Sequence, residues 1–106
     1  MFDCLEVSLK VLERLAPIEV AIRRKSNDLG KQITRAAESV SLNLAEGQAR
    51  KDGDQRRHYE MAAGSASELT AGLRIAKLRN YISDADYASV DEPLDRVCAM
   101  LYGLTH

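Results

Sequence analysis

The apolar residues of this chain recur at spacings of three and four, and this feature most limits how it can fold. The most regular such run contains Tyr59, Ala62, Ala66, Leu69, Leu73 and Ala76. Its spacing places every member on one face of an α-helix and is typical of a helix in a bundle. Three further stretches show the same periodicity, so the sequence predicts four helices.

The first predicted helix, over residues 2–24, follows an apolar stripe that begins at Phe2 and ends at Ile22. Proline lacks an N–H, so a kink is expected at Pro17. The cluster Ser26–Asn27–Asp28 marks the start of the second helix, because short polar side chains accept hydrogen bonds from the free amides of a first turn. Gly47 lies near the end of that helix, where glycine suits a cap or a close helix contact.

The third and fourth helices are bounded by less regular signals. Asp52 or Asp54, in the preceding turn, is expected to cap the third helix. Asn80 tolerates the left-handed conformation that ends a helix, and Ser83 follows as a cap for the fourth. Pro93 has no N–H to donate, so it is predicted to lie in the first turn of the regular fourth helix. The apolar stripe of this helix contains Val90, Leu94, Val97, Leu101 and Leu104.

Short turns between long helices favour antiparallel neighbours, so the expected fold is all-α, an antiparallel up-down-up-down four-helix bundle. Residues 1–106 should form a single domain, because the length suits one core and no linker divides the chain. No window approaches the roughly 20 apolar residues of a membrane span, and nothing near the N-terminus resembles a signal peptide. We therefore expect no membrane contact, a cytoplasmic location, and reduced thiols at Cys4 and Cys98.

A polar network is predicted between the second and third helices. Their connecting turn sets an antiparallel register that places Arg35 near Glu68 and Glu46 near Arg57. Buried charges persist only when they are paired, so these groups should neutralise one another. In the alternative, Glu46, Glu60 and Glu68 converge in a pocket and act as acids or bases. The predicted structural network comprises Arg35, Asn43, Glu46, Arg57, Glu60 and Glu68.

Small residues occupy the middle of the same seam. Glycine inside a helix costs roughly 1 kcal/mol relative to alanine, so Gly64 is expected to have a steric reason, namely close approach of two helices. The alternative is a tolerated surface glycine. The predicted tight seam contains Ala36, Ser39, Ala63, Gly64 and Ser67.

The segments 32–40 (QITRAAESV) and 43–47 (NLAEG) resemble the signature of a family of small four-helix bundle proteins. These proteins were first noted as reading frames in intervening sequences of bacterial 23S ribosomal RNA and are also called S23 proteins. Segments 64–69 (GSASEL) and 75–77 (IAK) resemble a later motif of the family, so the resemblance covers about residues 5–105. Ser41 and Leu42 depart from it, because the family commonly has Pro-Ser there.

The resemblance implies an antiparallel four-helix bundle that assembles as a homo-oligomer, with a pentameric ring favoured. One relative, the accessory protein of diversity-generating retroelements, binds a reverse transcriptase and nucleic acid. That relative is markedly basic, whereas this chain has a formal net charge of −1. A nucleic-acid or protein partner is therefore possible for this chain, but only its own residues can support one.

The sequence lacks the residue patterns of metal sites and of catalysis. A di-iron bundle needs Glu-x-x-His pairs, but His58 is preceded at that spacing by Gln55. The other histidine, His106, and the two cysteines lack the spacing of zinc ligands. No serine lies in a nucleophile elbow, and there is no phosphate-binding Walker loop. We therefore predict no catalytic residue, no metal, no cofactor and no enzymatic activity.

The distribution of charge keeps a second function open. Residues 23–79 carry twelve Lys and Arg against seven Asp and Glu, a net charge of +5, while both flanking segments are acidic. Phosphate groups are bound by such cations. We thus predict a non-enzymatic homo-oligomeric scaffold or interaction module, or alternatively an RNA- or DNA-binding accessory protein. The candidate nucleic-acid contacts, at the two ends of the bundle, are Arg23, Arg24, Lys25, Arg50, Lys51, Arg56 and Arg57, with Arg79 beside the first three.

Overall fold

The structure is a computed structural model, and it describes residues 3–106. Four α-helices make up nearly all of this range and no strand occurs in it, which confirms the predicted all-α class. Phe2, the first residue of the predicted apolar stripe, lies outside the described residues. The helices are α1 (Asp3–Lys25), α2 (Asn27–Gln48), α3 (Asp52–Leu78) and α4 (Asp84–Thr105).

Side-chain contacts establish the direction of each helix relative to its neighbours. The Oγ atoms of Ser8, early in α1, and Ser41, late in α2, are 2.8 Å apart, while Thr34 Oγ1 donates a hydrogen bond of 3.0 Å to Glu19. These two contacts make α1 and α2 antiparallel. The other neighbouring pairs follow the same rule, as shown by Ser39 with Ser65, Lys77 with Tyr87, and Arg56 with Thr105.

Apolar residues from all four helices meet in one core. Every member of the predicted α3 stripe from Tyr59 to Ala76 is buried. The α1 stripe is rotated from the predicted one, because Leu9 is 44% exposed and Val7 and Val11 face the core. At the end of α4, Leu104 is exposed and Thr105 is buried, contrary to the predicted stripe.

Three of the predicted helix boundaries are confirmed. Ser26 Oγ accepts a hydrogen bond from the Leu29 amide, and Ser83 Oγ accepts one from the Asp86 amide. Asn80 has a φ of 61°, the left-handed conformation expected after α3. Such caps satisfy amides and carbonyls that have no partner within the helix.

The predicted cap of α3 is wrong. Lys51 occupies the N-cap position and makes no side-chain capping hydrogen bond. Asp52 lies in the first turn with a φ of 54°, and Asp54 instead accepts a hydrogen bond of 2.9 Å from Arg57 Nη2. The aspartates still favour this end of the helix, since negative charge is stabilising near the positive end of the helix dipole.

Pro93 lies inside α4 rather than in its first turn, because the helix already begins at Asp84. A proline leaves the carbonyl four residues earlier without its helical donor, and here that carbonyl belongs to Ser89. Arg14 of α1 donates a hydrogen bond of 3.1 Å to the Ser89 oxygen and lies 3.5 Å from the Glu92 carboxylate. A neighbouring helix thus supplies the missing donor, which explains how α4 accommodates the proline.

Candidate interaction surfaces

The ionisable residues of the predicted network lie on the surface and not between helices. Only Asn43 is half-buried, and it donates hydrogen bonds of 3.0 and 3.1 Å to the carbonyl and hydroxyl of Ser39. Ser39 in turn meets Ser65 of α3, with 2.8 Å between their Oγ atoms. The five exposed members are Arg35, Glu46, Arg57, Glu60 and Glu68.

The charged members make local ion pairs in place of the predicted pairs across the helices. Glu46 pairs with Arg50 at 3.0 Å, and Glu60 lies 3.8 Å from Arg56. Arg57 pairs with Asp54, and this contact holds the pKa of the Asp54 carboxyl below its usual value. Within the described residues, no ion pair includes Arg35 or Glu68. The predicted pairing of Arg35 with Glu68 and of Glu46 with Arg57 is therefore not formed in the protomer.

A small difference in helix register explains this correction. Ser39 meets Ser65 rather than its predicted partner Gly64, and each step along a helix rotates the side chain by about 100°. Gly64 is consequently exposed, and a Cβ added to it would meet nothing within 4 Å. Close contact in the seam is made by Gly72 instead, whose added Cβ would lie 2.7 Å from Ile33 Cγ1.

A second apolar stripe runs along the solvent side of α3, where the sequence analysis predicted none. It contains Met61, Gly64, Ala71, Ile75 and Leu78, all exposed and spaced by three, four or seven residues, and we call it the α3 outer stripe. The exposed carboxylate of Glu68 interrupts it between Gly64 and Ala71. Leu78 is 83% exposed. The spacing by itself could have revealed it, because it repeats the heptad pattern of the core stripe two positions away.

Exposed apolar side chains also occur on α1 and α2. Leu42 of α2, at a position where the chain departs from the S23 signature, is 67% exposed. On α1, Leu9 and Val20 are exposed. Helix α1 packs against α2 and α4, and α3 packs against the same two helices, so α1 and α3 are diagonal in the bundle. The outer sides of α1 and α3 therefore face in opposite directions.

The two ends of the bundle differ in how their cations are partnered. At the end formed by the 49–51 turn, Arg50 and Arg57 contact Asp54, and Arg56 contacts Glu60 and the Thr105 carbonyl oxygen. This end carries four Lys and Arg, at positions 50, 51, 56 and 57, against six carboxylates at positions 3, 6, 46, 52, 54 and 60. Its predicted cations are thus neutralised.

At the opposite end, the terminal turns and caps of the helices carry five cations and three carboxylates, Asp28, Asp84 and Asp86. We call this the basic end, and its cations are Arg23, Arg24, Lys25, Lys77 and Arg79. None of them takes part in an ion pair within the described part of the chain. Arg79 lies 6.0 Å from the centre of the Tyr81 ring, and Lys77 Nζ lies 4.6 Å from that of Tyr87.

A groove between α3 and α4 opens beside the basic end. Its wider part, about 580 Å³, is lined on the α3 side by Arg74 and Lys77 and on the α4 side by Asp84, Tyr87 and Asp91. A second part of about 430 Å³ continues it toward Cys98. Burial and the Asp91 carboxylate raise the pKa of Tyr87, while the Arg74 guanidinium opposes this rise.

The described surfaces show neither a cluster of metal ligands nor an activated catalytic group. Within residues 3–106, no three His, Cys, Asp or Glu side chains gather as metal ligands would. Burial raises the pKa of the Cys4 thiol to about 11, which disfavours the reactive thiolate. The glutamates considered as acids or bases are exposed, and Glu46, Glu60 and Glu68 do not line any of the grooves described above.

These features define an all-helical bundle of the type that the sequence signature implies. A model of the 23S rRNA-intervening sequence protein family matches residues 5–103, so the chain belongs to that family. A crystal structure of a protein of unknown function from the S23 ribosomal protein family of Bacteroides thetaiotaomicron VPI-5482 is similar in fold, with a TM-score of 0.86. The two chains are 19% identical, over 96% of this chain and 97% of that one.

No curated protein matches this chain. None of the helices within residues 3–106 has the length and hydropathy that a membrane span requires. The family and the structural relative thus establish the fold, whereas a function has to be inferred from the exposed surfaces of the bundle.

Proposed function

We propose that the protein is a non-enzymatic, homo-oligomeric scaffold whose subunits associate through the α3 outer stripe. The observation that carries this proposal is Gly64, an exposed glycine in the middle of a long helix, which shares one face of that helix with the exposed apolar residues Met61 and Ala71. Glycine there costs roughly 1 kcal/mol relative to alanine, and no contact within the protomer accounts for it. A helix from a second copy that packs closely against the stripe supplies the missing reason.

Exposed residues on other helices also support association with further copies of the same chain. Exposed apolar side chains on α1, Leu9 and Val20, face away from the α3 outer stripe. A closed ring needs two such different faces on every subunit, because each protomer contacts one neighbour on each side. Arg35 and Glu68 offer opposite charges that a neighbouring subunit can pair. The family resemblance favours five subunits, and the proposal places the ring in the cytoplasm, where the thiols of Cys4 and Cys98 stay free.

Light scattering coupled to size-exclusion chromatography tests this proposal. The wild-type protein is expected at a multiple of the 11.7 kDa protomer mass, fivefold for a pentamer. Gly64→Glu places a charge in the stripe and should give monomers without loss of helix content. Gly103→Glu is the matched control, because Gly103 is also a helical glycine whose added Cβ would meet nothing within 4 Å.

Two results would contradict the proposal. A wild-type mass of 11.7 kDa at high protein concentration would exclude stable self-association. An unchanged oligomer in Gly64→Glu would show that association uses a different face.

Nucleic-acid binding is the second candidate function. The specific observation in its favour is the difference between the two ends of the bundle. The cations at positions 50, 56 and 57 form ion pairs with carboxylates, whereas those of the basic end form none within the described residues. Electrophoretic shift of a labelled oligonucleotide that weakens with rising salt tests this function, because phosphate contacts release counterions.

A further inference from the structure

The basic end is narrow and carries its cations on two helices that terminate together. The bundle measures 42 × 22 × 20 Å, so its end is only about 20 Å across. The last turn of α1 supplies Arg23, Arg24 and Lys25, while Lys77 and Arg79 come from the end of α3. Because α1 and α3 run in the same direction, both groups of cations face the same solvent. Arg23 Nη2 donates a hydrogen bond of 3.3 Å to Thr34 Oγ1 of α2, so a polyanion that approaches this end first meets the other four positive charges.

The groove beside this end adds features that a plain basic patch lacks. Its α3 wall carries Arg74 and Lys77, and its α4 wall carries Asp84 and Asp91. Phosphates are attracted to the first wall and repelled by the second. Tyr87 belongs to the α4 wall, and the Lys77 ammonium group lies 4.6 Å from the centre of its ring. A ligand that fits this arrangement therefore has an anionic part, a flat part that packs on a tyrosine, and hydrogen-bond donors that reach a carboxylate.

A nucleotide within a single strand has all three parts. Its phosphate is anionic, its base stacks on aromatic rings, and the amino groups of cytosine, adenine and guanine donate to carboxylates. A groove of about 580 Å³ lies within the range of small-ligand sites and is large enough for a base. A duplex keeps its bases paired inside and cannot place one in such a groove, so the geometry favours a single strand.

We propose that the basic end is a binding site for single-stranded nucleic acid, with phosphates on the terminal cations of α1 and α3 and one unstacked base in the α3–α4 groove beside Tyr87. This inference rests on the second candidate function and gives it a location and a substrate class. It also predicts a base preference, because cytosine offers its exocyclic amino group to Asp91, whereas uracil and thymine carry at that position a carbonyl oxygen, which the carboxylate repels.

The test measures the affinity of fluorescein-labelled 12-nucleotide strands by anisotropy over a range of salt concentrations. The probes are oligocytidylate, oligouridylate, oligodeoxycytidylate, oligothymidylate and a 12-base-pair DNA duplex. The ribose and deoxyribose strands distinguish RNA from DNA as the preferred source of the same chemistry. We expect both cytosine strands to bind at least fivefold more tightly than the uracil and thymine strands, and all single strands more tightly than the duplex.

Two matched sets of substitutions locate the phosphate contacts. Arg23→Gln, Arg24→Gln, Lys25→Gln and Arg79→Gln are combined in one protein, and Arg50→Gln, Lys51→Gln, Arg56→Gln and Arg57→Gln in the control, so that each protein loses four positive charges. The first should lose at least tenfold in affinity, and its salt dependence should fall by about 0.7 in log–log slope for each phosphate contact removed. The control should remain within twofold of wild type. Equal losses in both proteins, or an unchanged slope in the first, would overturn the location.

Variants in the groove test the position of the base. Tyr87→Leu should weaken binding about fivefold or more at unchanged salt slope, since stacking on an aromatic ring is lost, while Tyr87→Phe should retain affinity. Asp91→Asn should abolish the preference for cytosine. If Tyr87→Leu and Asp91→Asn both behave as wild type, the base does not occupy the groove and the proposal fails.

The outcomes separate this inference from the functions it builds on. Absence of binding by every strand would remove the second candidate function together with the site. Binding that survives the basic-end variant would leave nucleic-acid binding standing and remove only the site. Circular dichroism and light scattering of each variant report on folding and self-association, so a loss through unfolding or dissociation is recognised as such.

Discussion

Replacement of Gly72 by alanine should destabilise the bundle, although alanine is the better helix former. Gly72 lies in the middle of α3 and is buried against α2. An added Cβ would lie 2.7 Å from Cγ1 and 3.4 Å from Cδ1 of Ile33, which is 1% exposed. Ile33 is β-branched and held in one rotamer by its own helix, so it cannot swing away.

Two opposing effects set the magnitude. Alanine gains roughly 1 kcal/mol of helix propensity over glycine, while an extra methyl group in a well-packed core costs about 1–3 kcal/mol. Gly72→Ala should therefore lose up to about 2 kcal/mol of unfolding free energy. In the monomer, Gly64→Ala has no clash and should gain about 1 kcal/mol, so the two monomeric variants are expected to differ by about 1–3 kcal/mol.

Urea denaturation followed by circular dichroism measures this difference, at a protein concentration where light scattering shows that both variants are monomers. For a domain of this size, each 1 kcal/mol corresponds to about 4–8 °C in melting temperature, which gives a second readout. Ile33→Ala removes the clashing atoms and leaves a cavity. The double variant Gly72→Ala/Ile33→Ala should thus be at least about 1 kcal/mol more stable than the sum of the single effects.

The reasoning would be refuted if Gly72→Ala stabilised the protein as much as Gly64→Ala does. Strict additivity of Gly72→Ala and Ile33→Ala would refute it independently, because the clash requires that the two side chains interact.

Two further predictions concern α4 and the buried thiol. Arg14→Met should lower the free energy of unfolding by about 1 kcal/mol in urea denaturation, because the Ser89 carbonyl loses its hydrogen-bond donor. In a Pro93→Ala background a backbone amide can replace that donor, so the loss should be smaller there. An equal loss in both backgrounds would contradict this account. Burial raises the pKa of Cys4 from 9.0 to about 11, so the native state retains its proton where the unfolded chain loses it. The free energy of unfolding should therefore fall as pH rises from about 9 through 11. Denaturation at a series of pH values measures this dependence, and Cys4→Ala should make it less steep. The same pH dependence in wild type and Cys4→Ala would count against the burial effect.

Residue periodicity was sufficient to predict the fold, because burial of apolar faces dominates helix packing. The four helices, the serine caps and the α3 core stripe all follow from spacing and local hydrogen bonding. The polar seam was predicted less well. The register between two antiparallel helices is fixed by side-chain packing in three dimensions, and a shift of one residue moves Arg35 and Glu68 to the surface.

Pro93 shows why some boundaries could not be derived locally. Its effect on α4 depends on Arg14, which is 79 residues earlier in the chain and belongs to a different helix. The α3 outer stripe was present in the sequence as a second periodic set, but a single-chain argument assigns only one apolar face to each helix. The unequal pairing of cations at the two ends likewise required knowledge of which carboxylates lie within reach.

An even number of antiparallel helices brings the chain back to the side from which it started. The first residue of α1 and the last of α4 therefore both lie beside the 49–51 turn, roughly 30 Å of helix away from Arg23, Lys25 and Arg79. An affinity tag, a fluorophore or a surface tether attached at either terminus would leave the basic end pointing outward and accessible. Immobilisation by a terminus is consequently an orientation-selective way to present that end to a ligand in solution.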